Sequence, residues 1–163
     1  MPPMQKKKIT SVFNVFDKPE ELPESTQELF KAAEKARDTA YAPYSRFLVG
    51  AAIRLKSGKI ITGSNQENAA YPSGLCAERV AIFYAGANHP DEIIEELAVT
   101  VKSTEKVVDN PAPPCGSCRQ AIAEYEFKQN QHIRIYFRGE TGQIIQSESL
   151  IDLLPLAFDS TFM

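Results

Sequence analysis

Tryptophan is absent from the 163-residue sequence, and cysteine and histidine are scarce, with three and two residues. Three cysteines do not make a disulfide framework, and a chain of this length buries enough surface to fold without one. The longest stretch free of Lys, Arg, Asp and Glu has 11 residues, 80–90, whereas a membrane-spanning helix needs about 20 apolar residues. The composition therefore predicts one globular domain without a transmembrane helix.

An excess of basic residues is also lacking, since 18 Lys and Arg stand against 21 Asp and Glu, with an isoelectric point near 5.5. Binding to polymeric nucleic acid depends on clustered Lys and Arg, so it is not expected. The run Lys6, Lys7 and Lys8 is interpreted as a solvated tail. No apolar segment or small-residue cleavage site follows it, which predicts a cytoplasmic protein without a secretory signal.

Prolines and weak periodicity mark residues 1–24 as an N-terminal arm, and residues 25–163 as the domain. Apolar spacing predicts helices over 25–41, 76–85 and 118–127, and a short final helix capped by Ser149. Alternating and β-branched segments predict five strands, at 47–55, 60–64, 97–101, 133–137 and 143–146. Helices interspersed among strands predict a sheet between helical layers.

Two of the predicted helices begin beside cysteine residues. Cys76 opens one, and Cys115 and Cys118, in the sequence Cys-Gly-Ser-Cys, precede the other. The partial positive charge and free N–H groups of a helix N-terminus favour thiolate, the form that binds zinc. Three cysteine ligands leave the fourth position of a tetrahedral site to water, as in catalytic zinc sites. Neither His89 nor His132 has a familiar ligand spacing from a cysteine. An open site is favoured over a closed structural one, mainly because Glu78 lies close to Cys76 in the sequence.

Glu78 lies two residues after Cys76, in the first turn of the same predicted helix. A carboxylate there is within reach of a zinc-bound water and can transfer protons. The alternative is that Glu78 merely complements the helix dipole, which is common in a first turn. Arg79 is expected to offset the formal charge of about −1 that three thiolates leave around Zn²⁺, or else to be an exposed helix residue.

The segments Cys76-Ala77-Glu78 and Pro114-Cys115-Gly116-Ser117-Cys118 together have the form of the zinc deaminase signature. Further motifs occur in the same order as in one branch of that family: Ala40-Tyr41-Ala42-Pro43-Tyr44-Ser45-Arg46-Phe47, Val49-Gly50-Ala51-Ala52, Asn65-Gln66-Glu67-Asn68-Ala69-Ala70-Tyr71, Arg119-Gln120 and Leu153-Leu154-Pro155 with Phe158. From about residue 36 to 158 the chain resembles the small homotetrameric cytidine deaminases. It departs from their pattern at Leu48, where family members often have proline, and in the long arm before Ser25.

The resemblance implies a three-layer α/β/α fold with a mixed five-stranded sheet, and a Zn²⁺ ion held by Cys76, Cys115 and Cys118. It also implies hydrolytic deamination of cytidine and deoxycytidine to uridine and deoxyuridine, a reaction of pyrimidine salvage that releases ammonia. In this chemistry a zinc-bound hydroxide attacks C4 of cytosine, and Glu78 passes the proton to ring N3 and later to the departing ammonia.

Substrate contacts follow from the same resemblance. It implies that Asn65 and Glu67 hydrogen-bond the ribose hydroxyls, that Phe47 stacks near the base, and that the Ala77 amide meets the pyrimidine carbonyl. Such polar groups discriminate strongly against analogues that lack the sugar hydroxyl. Without the resemblance, the favoured interpretation of Asn65 and Glu67 is a polar turn, and that of Phe47 a core position.

Tyr71 and Phe158 resemble residues that reach the active site of a neighbouring subunit, which implies a homotetramer with composite sites. Ordinary packing is the alternative for both. Two other functions stay open at this point: deamination of another aminopyrimidine nucleoside, as in the blasticidin S deaminases, and a noncatalytic zinc-stabilised module, in which Glu78→Gln is harmless.

Overall fold

The structure is a computed structural model that describes residues 3–163. It contains a six-stranded mixed sheet with four α-helices. The elements in chain order are β1 (Asn14–Phe16), α1 (Glu24–Arg37), β2 (Phe47–Leu55), β3 (Ile60–Ser64), α2 (Ala77–Asn88), β4 (Ile94–Ser103), α3 (Gly116–Gln129), β5 (Arg134–Arg138), β6 (Ile144–Ser147) and α4 (Leu150–Leu153). Short 3₁₀ turns cover Pro19–Glu21, Tyr71–Ser73 and Ser160–Phe162.

The strand order across the sheet is β1-β6-β5-β4-β2-β3. β4 and β5 run parallel, because α3 carries the chain back between them, and the remaining neighbours are antiparallel. Side chains on a strand alternate between faces, so Ala51 and Ile53 face one helical layer while Ala52 faces the other. α1 covers the face of Ala52, and α2, α3 and α4 cover the opposite face. The three-layer arrangement predicted from the sequence is confirmed.

The predicted number of five strands is wrong, because the N-terminal segment adds a sixth. β1 pairs antiparallel with β6, with Val15 opposite Ile145. The Asn14 amide strengthens this pairing by donating to Gln146 Oε1 at 3.1 Å. A strand of three residues carries too little alternation to be recognised from its own sequence. Lys6, Lys7 and Lys8 are exposed as expected, while Met1 and Pro2 of the predicted arm lie outside the described residues.

Helix α1 ends four residues earlier than its apolar spacing predicts. Instead of a last helical turn, the chain at Tyr41 forms a bridge with Gln66, and the Tyr41 N–H donates to Asn65 O at 3.0 Å. Pairing with a distant segment thus replaces the helical hydrogen bonds. At its other end, α1 starts at Glu24, one residue before the predicted start at Ser25, with Pro23 at the N-cap position. The cap of α4 is as predicted, with Ser149 accepting from Ile151 N–H.

Glycines let a helix approach the sheet closely on both faces. A Cβ atom at Gly50 would lie 2.0 Å from the Ala33 carbonyl oxygen of α1. A Cβ atom at Gly63 would lie 2.5 Å from the Ala77 carbonyl oxygen and 2.7 Å from the Ala81 nitrogen of α2. Any larger residue at Gly63 therefore pushes the start of α2 away from the sheet. None of the helices in residues 3–163 has the length and apolar character needed to cross a membrane.

Candidate active site

The three cysteines converge where two helices begin. Cys76 is the N-cap residue of α2, Cys115 is the N-cap residue of α3, and Cys118 lies in the first turn of α3. Their sulfur atoms all lie within 4.8 Å of one another, with 3.7 Å between Cys76 and Cys115 and 3.5 Å between Cys115 and Cys118. The two helices therefore bring together residues that are about forty positions apart in sequence.

This arrangement fits a zinc ion. Tetrahedral coordination with Zn–S bonds of about 2.3 Å places neighbouring sulfurs roughly 3.8 Å apart, close to the separations found here. Within residues 3–163, the group that can hold a metal ion consists of the three cysteines alone. His89 is at the far end of α2, and the His132 side chain is 76% exposed elsewhere. Three cysteine donors suit a zinc site that leaves the fourth position of the tetrahedron to water.

Electrostatics at the cluster favour one thiolate among the sulfurs. A hydrogen bond with Cys118, together with the nearby Arg79 guanidinium, lowers the pKa of Cys76 to about 5. The pKa of Cys118 is raised, because its hydrogen bond with Cys76 favours the protonated thiol. Arg79 Nη2 lies 3.9 Å from Cys76 Sγ. The Arg79 guanidinium is therefore close enough to Cys76 to act on the charge of its sulfur.

Glu78 is the acidic group of this site. It lies in the first turn of α2 and is 4% exposed, and it borders the same cavity as Cys76 and Cys115. Burial raises the pKa of its carboxyl to about 7, with the negative charge of Cys76 acting in the same direction. A carboxyl group of this kind exchanges protons readily near neutral pH, as a general acid–base catalyst requires.

A cavity of about 700 Å³ opens in front of the cysteines and Glu78. Its apolar wall includes Val49, Val99 and Val101 from the central strands β2 and β4. Eight of the predicted site residues line it: Phe47, Asn65, Glu67, Tyr71, Cys76, Glu78, Arg79 and Cys115. Ala77 and Cys118 are buried and do not line it, and Phe158 lies elsewhere on the chain. A volume of this size accommodates a small molecule with a base and a sugar.

The Asn65 side chain is tied to the backbone of the neighbouring strand. Its Oδ1 accepts from Val49 N–H at 2.8 Å, and its Nδ2 donates to Phe47 O at 2.9 Å. The amide group is thereby fixed in orientation, and one lone pair and one N–H remain for a ligand. Asn65 positions the Phe47–Val49 strand segment in addition to any contact it makes with a substrate.

Glu67 organises the loop that precedes β2. Its carboxylate accepts from the backbone N–H groups of Tyr44, at 2.9 Å, and Ser45, at 3.2 Å, and from the Ser45 hydroxyl. The Ser45 hydrogen bond is the main reason why the pKa of Glu67 is lowered. Glu67 therefore stays ionised and acts as an acceptor at the rim of the cavity. Ser45 stands in one of the sequence motifs, but its contact with Glu67 was not predicted, because hydroxyl residues in loops are common and their spacing does not indicate a partner.

The aromatic residues predicted to contact substrate lie in different places. Phe47 is half-buried in the cavity wall, and Tyr71 is 75% exposed at its rim, edge-to-face with Tyr44 at a ring separation of 6.1 Å. Phe158 is exposed outside this cavity and stacks on Phe162, with 5.5 Å between the ring centres. A single chain thus brings Phe47 and Tyr71 to its own site and leaves Phe158 facing outward.

Arg119, immediately after Cys118, is the part of the site whose role was missed. Its guanidinium donates from Nε to Pro114 O at 2.9 Å and from Nη1 to Leu153 O at 2.7 Å. The adjacent Gln120 donates from Nε2 to Phe158 O at 2.9 Å. The Arg119-Gln120 pair was visible as part of a motif, but the sequence did not indicate which carbonyl groups it would reach.

Comparison with known proteins identifies the family. The family model described as the cytidine and deoxycytidylate deaminase zinc-binding region matches residues 23–132. A cytidine deaminase from Halalkalibacterium halodurans is 41% identical over 137 residues, which cover 84% of this chain and 96% of the relative. One from Sporosarcina psychrophila is 41% identical over 132 residues, or 81% of this chain and 90% of the relative.

Solved structures agree with the sequence relatives. The crystal structure of a cytidine deaminase from Burkholderia pseudomallei superposes with a TM-score of 0.70 at 39% identity, covering 80% of this chain and 97% of the other. These matches confirm the predicted resemblance to cytidine deaminases. With its three-layer fold and a cysteine cluster that fits zinc, the chain belongs to the cytidine and deoxycytidylate deaminase zinc-binding family.

Proposed function

We propose that the protein is a zinc-dependent hydrolase that deaminates cytidine and deoxycytidine to uridine and deoxyuridine. The observation that carries this proposal is the meeting of three cysteine sulfurs, suited to zinc, with the buried carboxyl of Glu78 in one cavity. The relatives from Halalkalibacterium halodurans and Sporosarcina psychrophila carry the name cytidine deaminase. The match spans at least 90% of each relative and more than 80% of this chain, which supports the same activity here.

Cys76, Cys115 and Cys118 would hold the metal, which supplies water activated for attack at neutral pH. Glu78 accepts the proton of that water and delivers it to ring N3 of the cytosine. It then carries a proton to the departing ammonia. Burial of Glu78 suits this double role because it brings the pKa of the carboxyl near 7. Arg79, beside Cys76 Sγ, offsets the negative charge of the thiolates.

Substrate recognition is proposed to use the groups that border the cavity. The Glu67 carboxylate accepts hydrogen bonds from the sugar hydroxyls, and the Asn65 amide bonds them through its remaining N–H and lone pair. Phe47 packs against the base, and the Ala77 N–H meets the pyrimidine carbonyl. Ala77 is the first residue of α2, so its N–H has no partner within the helix. The fixed amide of Asn65 supports this assignment, since a preorganised donor loses little entropy on binding.

The charges of the cavity favour a free nucleoside over a nucleoside 5′-phosphate. Glu67 and Glu78 border the cavity with carboxyl groups. Among its lining residues in the described part of the chain, Arg79 is the one cation, and it lies against Cys76 Sγ. A phosphate group would therefore meet carboxylates without a free positive partner.

We further propose a homotetramer in which Phe158 and Tyr71 approach the cavity of a neighbouring copy. Exposed apolar side chains on α2 and the C-terminal segment support this assembly: Phe83, Tyr84, Leu156, Phe158 and Phe162. Exposed apolar side chains of this size are suited to burial between copies of the chain. Residues 25–163 are proposed as the catalytic domain, with residues 1–24 as an arm that packs on it and adds β1 to the edge of its sheet. A cytoplasmic location is supported by three closely spaced thiols, which persist in a reducing compartment.

Conversion of cytidine to uridine, with zinc counted per chain, tests the reaction in the wild type and in Glu78→Gln. We expect about one zinc ion per chain in both proteins, and a kcat about 10³-fold lower in the variant, because the proton carrier is lost. Glu20→Gln is the matched control, since Glu20 is exposed in the N-terminal segment. Cytidine 5′-monophosphate should give a kcat/KM at least about tenfold lower than cytidine.

Each contrary result has a distinct meaning. Zinc without cytidine turnover in the wild type would overturn the cytidine assignment and direct the search to other aminopyrimidine nucleosides. Full activity of Glu78→Gln would remove Glu78 from the proton transfer. Equal turnover of the nucleoside and its 5′-phosphate would contradict the charge argument.

A further inference from the structure

The first turns of α3 make two connections through one side chain. Arg119 donates from Nε to the carbonyl of Pro114, just before the Cys115 ligand, and from Nη1 to the carbonyl of Leu153, at the end of α4. Both distances, 2.9 and 2.7 Å, are those of strong hydrogen bonds from a charged donor. The guanidinium fork is rigid, so fixing one carbonyl also fixes the other.

The Pro114 carbonyl belongs to the peptide plane that leads into Cys115. Three of the four residues from 111 to 114 are prolines, which have no N–H to donate to a neighbouring strand. Cys115 itself is exposed, unlike the buried Cys118. The contact from Arg119 therefore supplies a constraint that the proline-rich segment does not make through its own backbone donors.

The Leu153 carbonyl lies at the other end of the connection, where the C-terminal segment leaves α4. Helix carbonyls in the last turn lack partners within the helix, and a cation there is favourable. Leu156, three residues after Leu153, adopts a left-handed backbone conformation with φ of 62°. The carbonyl of Phe158, two residues later, accepts a hydrogen bond from the Gln120 side chain of α3. The segment that carries Phe158 is thus attached to α3 by Arg119 and by Gln120. Arg119 also holds the loop that leads into Cys115.

We propose that Arg119 is a positioning residue that couples the Cys115 loop to the C-terminal segment, residues 153–158. Loss of the Arg119 guanidinium loosens the Cys115 loop, so that Cys115 dissociates more easily from a bound zinc ion. It also lets residues 153–158 separate from α3 more often. In the proposed tetramer this links zinc retention in one copy to the presentation of Phe158 to another. That consequence rests on the proposed function, whereas the coupling itself is a property of the single chain.

Two measurements on the zinc-loaded protein test the coupling without any substrate. The first is the rate of zinc transfer to a chromogenic chelator, which reports on the Cys115 loop. The second is amide hydrogen exchange over residues 150–158, which reports on the C-terminal segment. In Arg119→Met we expect zinc release and exchange both to rise about tenfold or more, the effect of losing a charge-assisted hydrogen bond.

Gln120→Met is the matched control, because Gln120 contacts the C-terminal segment and not the Pro114 carbonyl. It should speed exchange near Phe158 and leave zinc release unchanged. Zinc release within twofold of wild type in Arg119→Met overturns the proposal, and so does faster release without faster exchange in residues 150–158. Failure of cytidine turnover would not affect either readout, so the two proposals fail separately.

Arg119→Lys separates charge from geometry. Its single ammonium group keeps the positive charge but cannot hold two carbonyls in the same fork. We expect both rates to rise about threefold. If Arg119→Met does not fold, Arg119→Lys decides by the same measurements, and wild-type values of either rate overturn the coupling.

Discussion

The beginnings of α2 and α3 meet at the same candidate metal centre but are held in place differently. The chain before α2 is fixed by backbone pairing, since Gln66 and Leu75 exchange two N–H···O bonds of 2.9 Å, and α2 packs directly on Gly63. The chain before α3 is rich in proline, and the Arg119 side chain holds its last carbonyl. One metal ligand thus depends on backbone packing and another on a single guanidinium.

This difference matches the roles of the two helices. The first turn of α2 carries Ala77 and Glu78, both buried, which must keep a fixed position relative to the cavity. Backbone contacts are well suited to that task because they do not depend on side-chain rotamers. The first turn of α3 carries the exposed Cys115, and its neighbouring Arg119 also reaches the C-terminal segment. A side chain connects distant segments that no sheet joins.

The largest expected effect comes from a methyl group beneath α2. Gly63→Ala places a Cβ atom 2.5 Å from Ala77 O, so α2 must shift and the free energy of unfolding should fall by about 3 kcal/mol. Urea denaturation of the zinc-loaded protein measures this. Gly116→Ala is the control in α3, where a Cβ meets nothing within 4 Å, and it should change the free energy by about 1 kcal/mol or less. Equal losses at both positions would refute the contrast.

A smaller effect is expected at the opposite end of α3, which is again held by a side chain. The buried carboxylate of Glu126 accepts from Ile133 N–H at 2.8 Å, from Leu150 N–H at 3.0 Å and from the Ser149 hydroxyl. Glu126→Gln keeps an oxygen for either the two backbone N–H groups or the Ser149 hydroxyl and turns an NH₂ group toward the other side, so the free energy of unfolding should fall by about 2 kcal/mol. The exposed Glu124, on the same helix, gives the control Glu124→Gln, with an expected change within about 0.5 kcal/mol. Thermal or urea unfolding decides, and similar values for both variants would contradict the prediction.

Removal of the metal tests the same comparison between the starts of α2 and α3, and it is expected to give the smallest change in free energy. The first helical hydrogen bond of each helix is equivalent: Val80 N–H to Cys76 O, at 3.1 Å, and Arg119 N–H to Cys115 O, at 2.9 Å. After chelation, exchange of the Arg119 amide should accelerate about tenfold more than that of Val80, a difference of about 1.4 kcal/mol. Residue-resolved hydrogen exchange measures both amides in one sample. Equal acceleration would mean that zinc, and not the surrounding chain, holds both helix starts.

The cysteine cluster was predictable because its chemistry leaves a pattern in the chain. Cys76 and the Cys115–Cys118 pair stand at the beginnings of segments with helical spacing, where a helix N-terminus favours thiolate, the form that binds a metal. The central strands were predictable for a similar reason, since their apolar runs end at turn residues. Both inferences use only local order.

Contacts that join distant segments were not predictable. β1 is a strand only because β6 offers it an edge, and α1 stops early only because Tyr41 pairs with Gln66. The backbone contacts of Asn65, and those of Arg119, depend on which carbonyls the fold brings near. A polar residue in a motif indicates that its side chain makes a hydrogen bond, but the tertiary structure determines which group is the partner.

The pairing of β1 with β6 changes what the sheet presents to other molecules. Ile144 and Ile145 lie in a strand that would otherwise be the outer edge, with unpaired backbone groups available to any extended chain. The added edge is only three residues long and is followed by Pro19, which cannot donate a hydrogen bond. Short, interrupted edges are poor templates for β-aggregation, so the N-terminal segment protects the folded protein against edge-to-edge association.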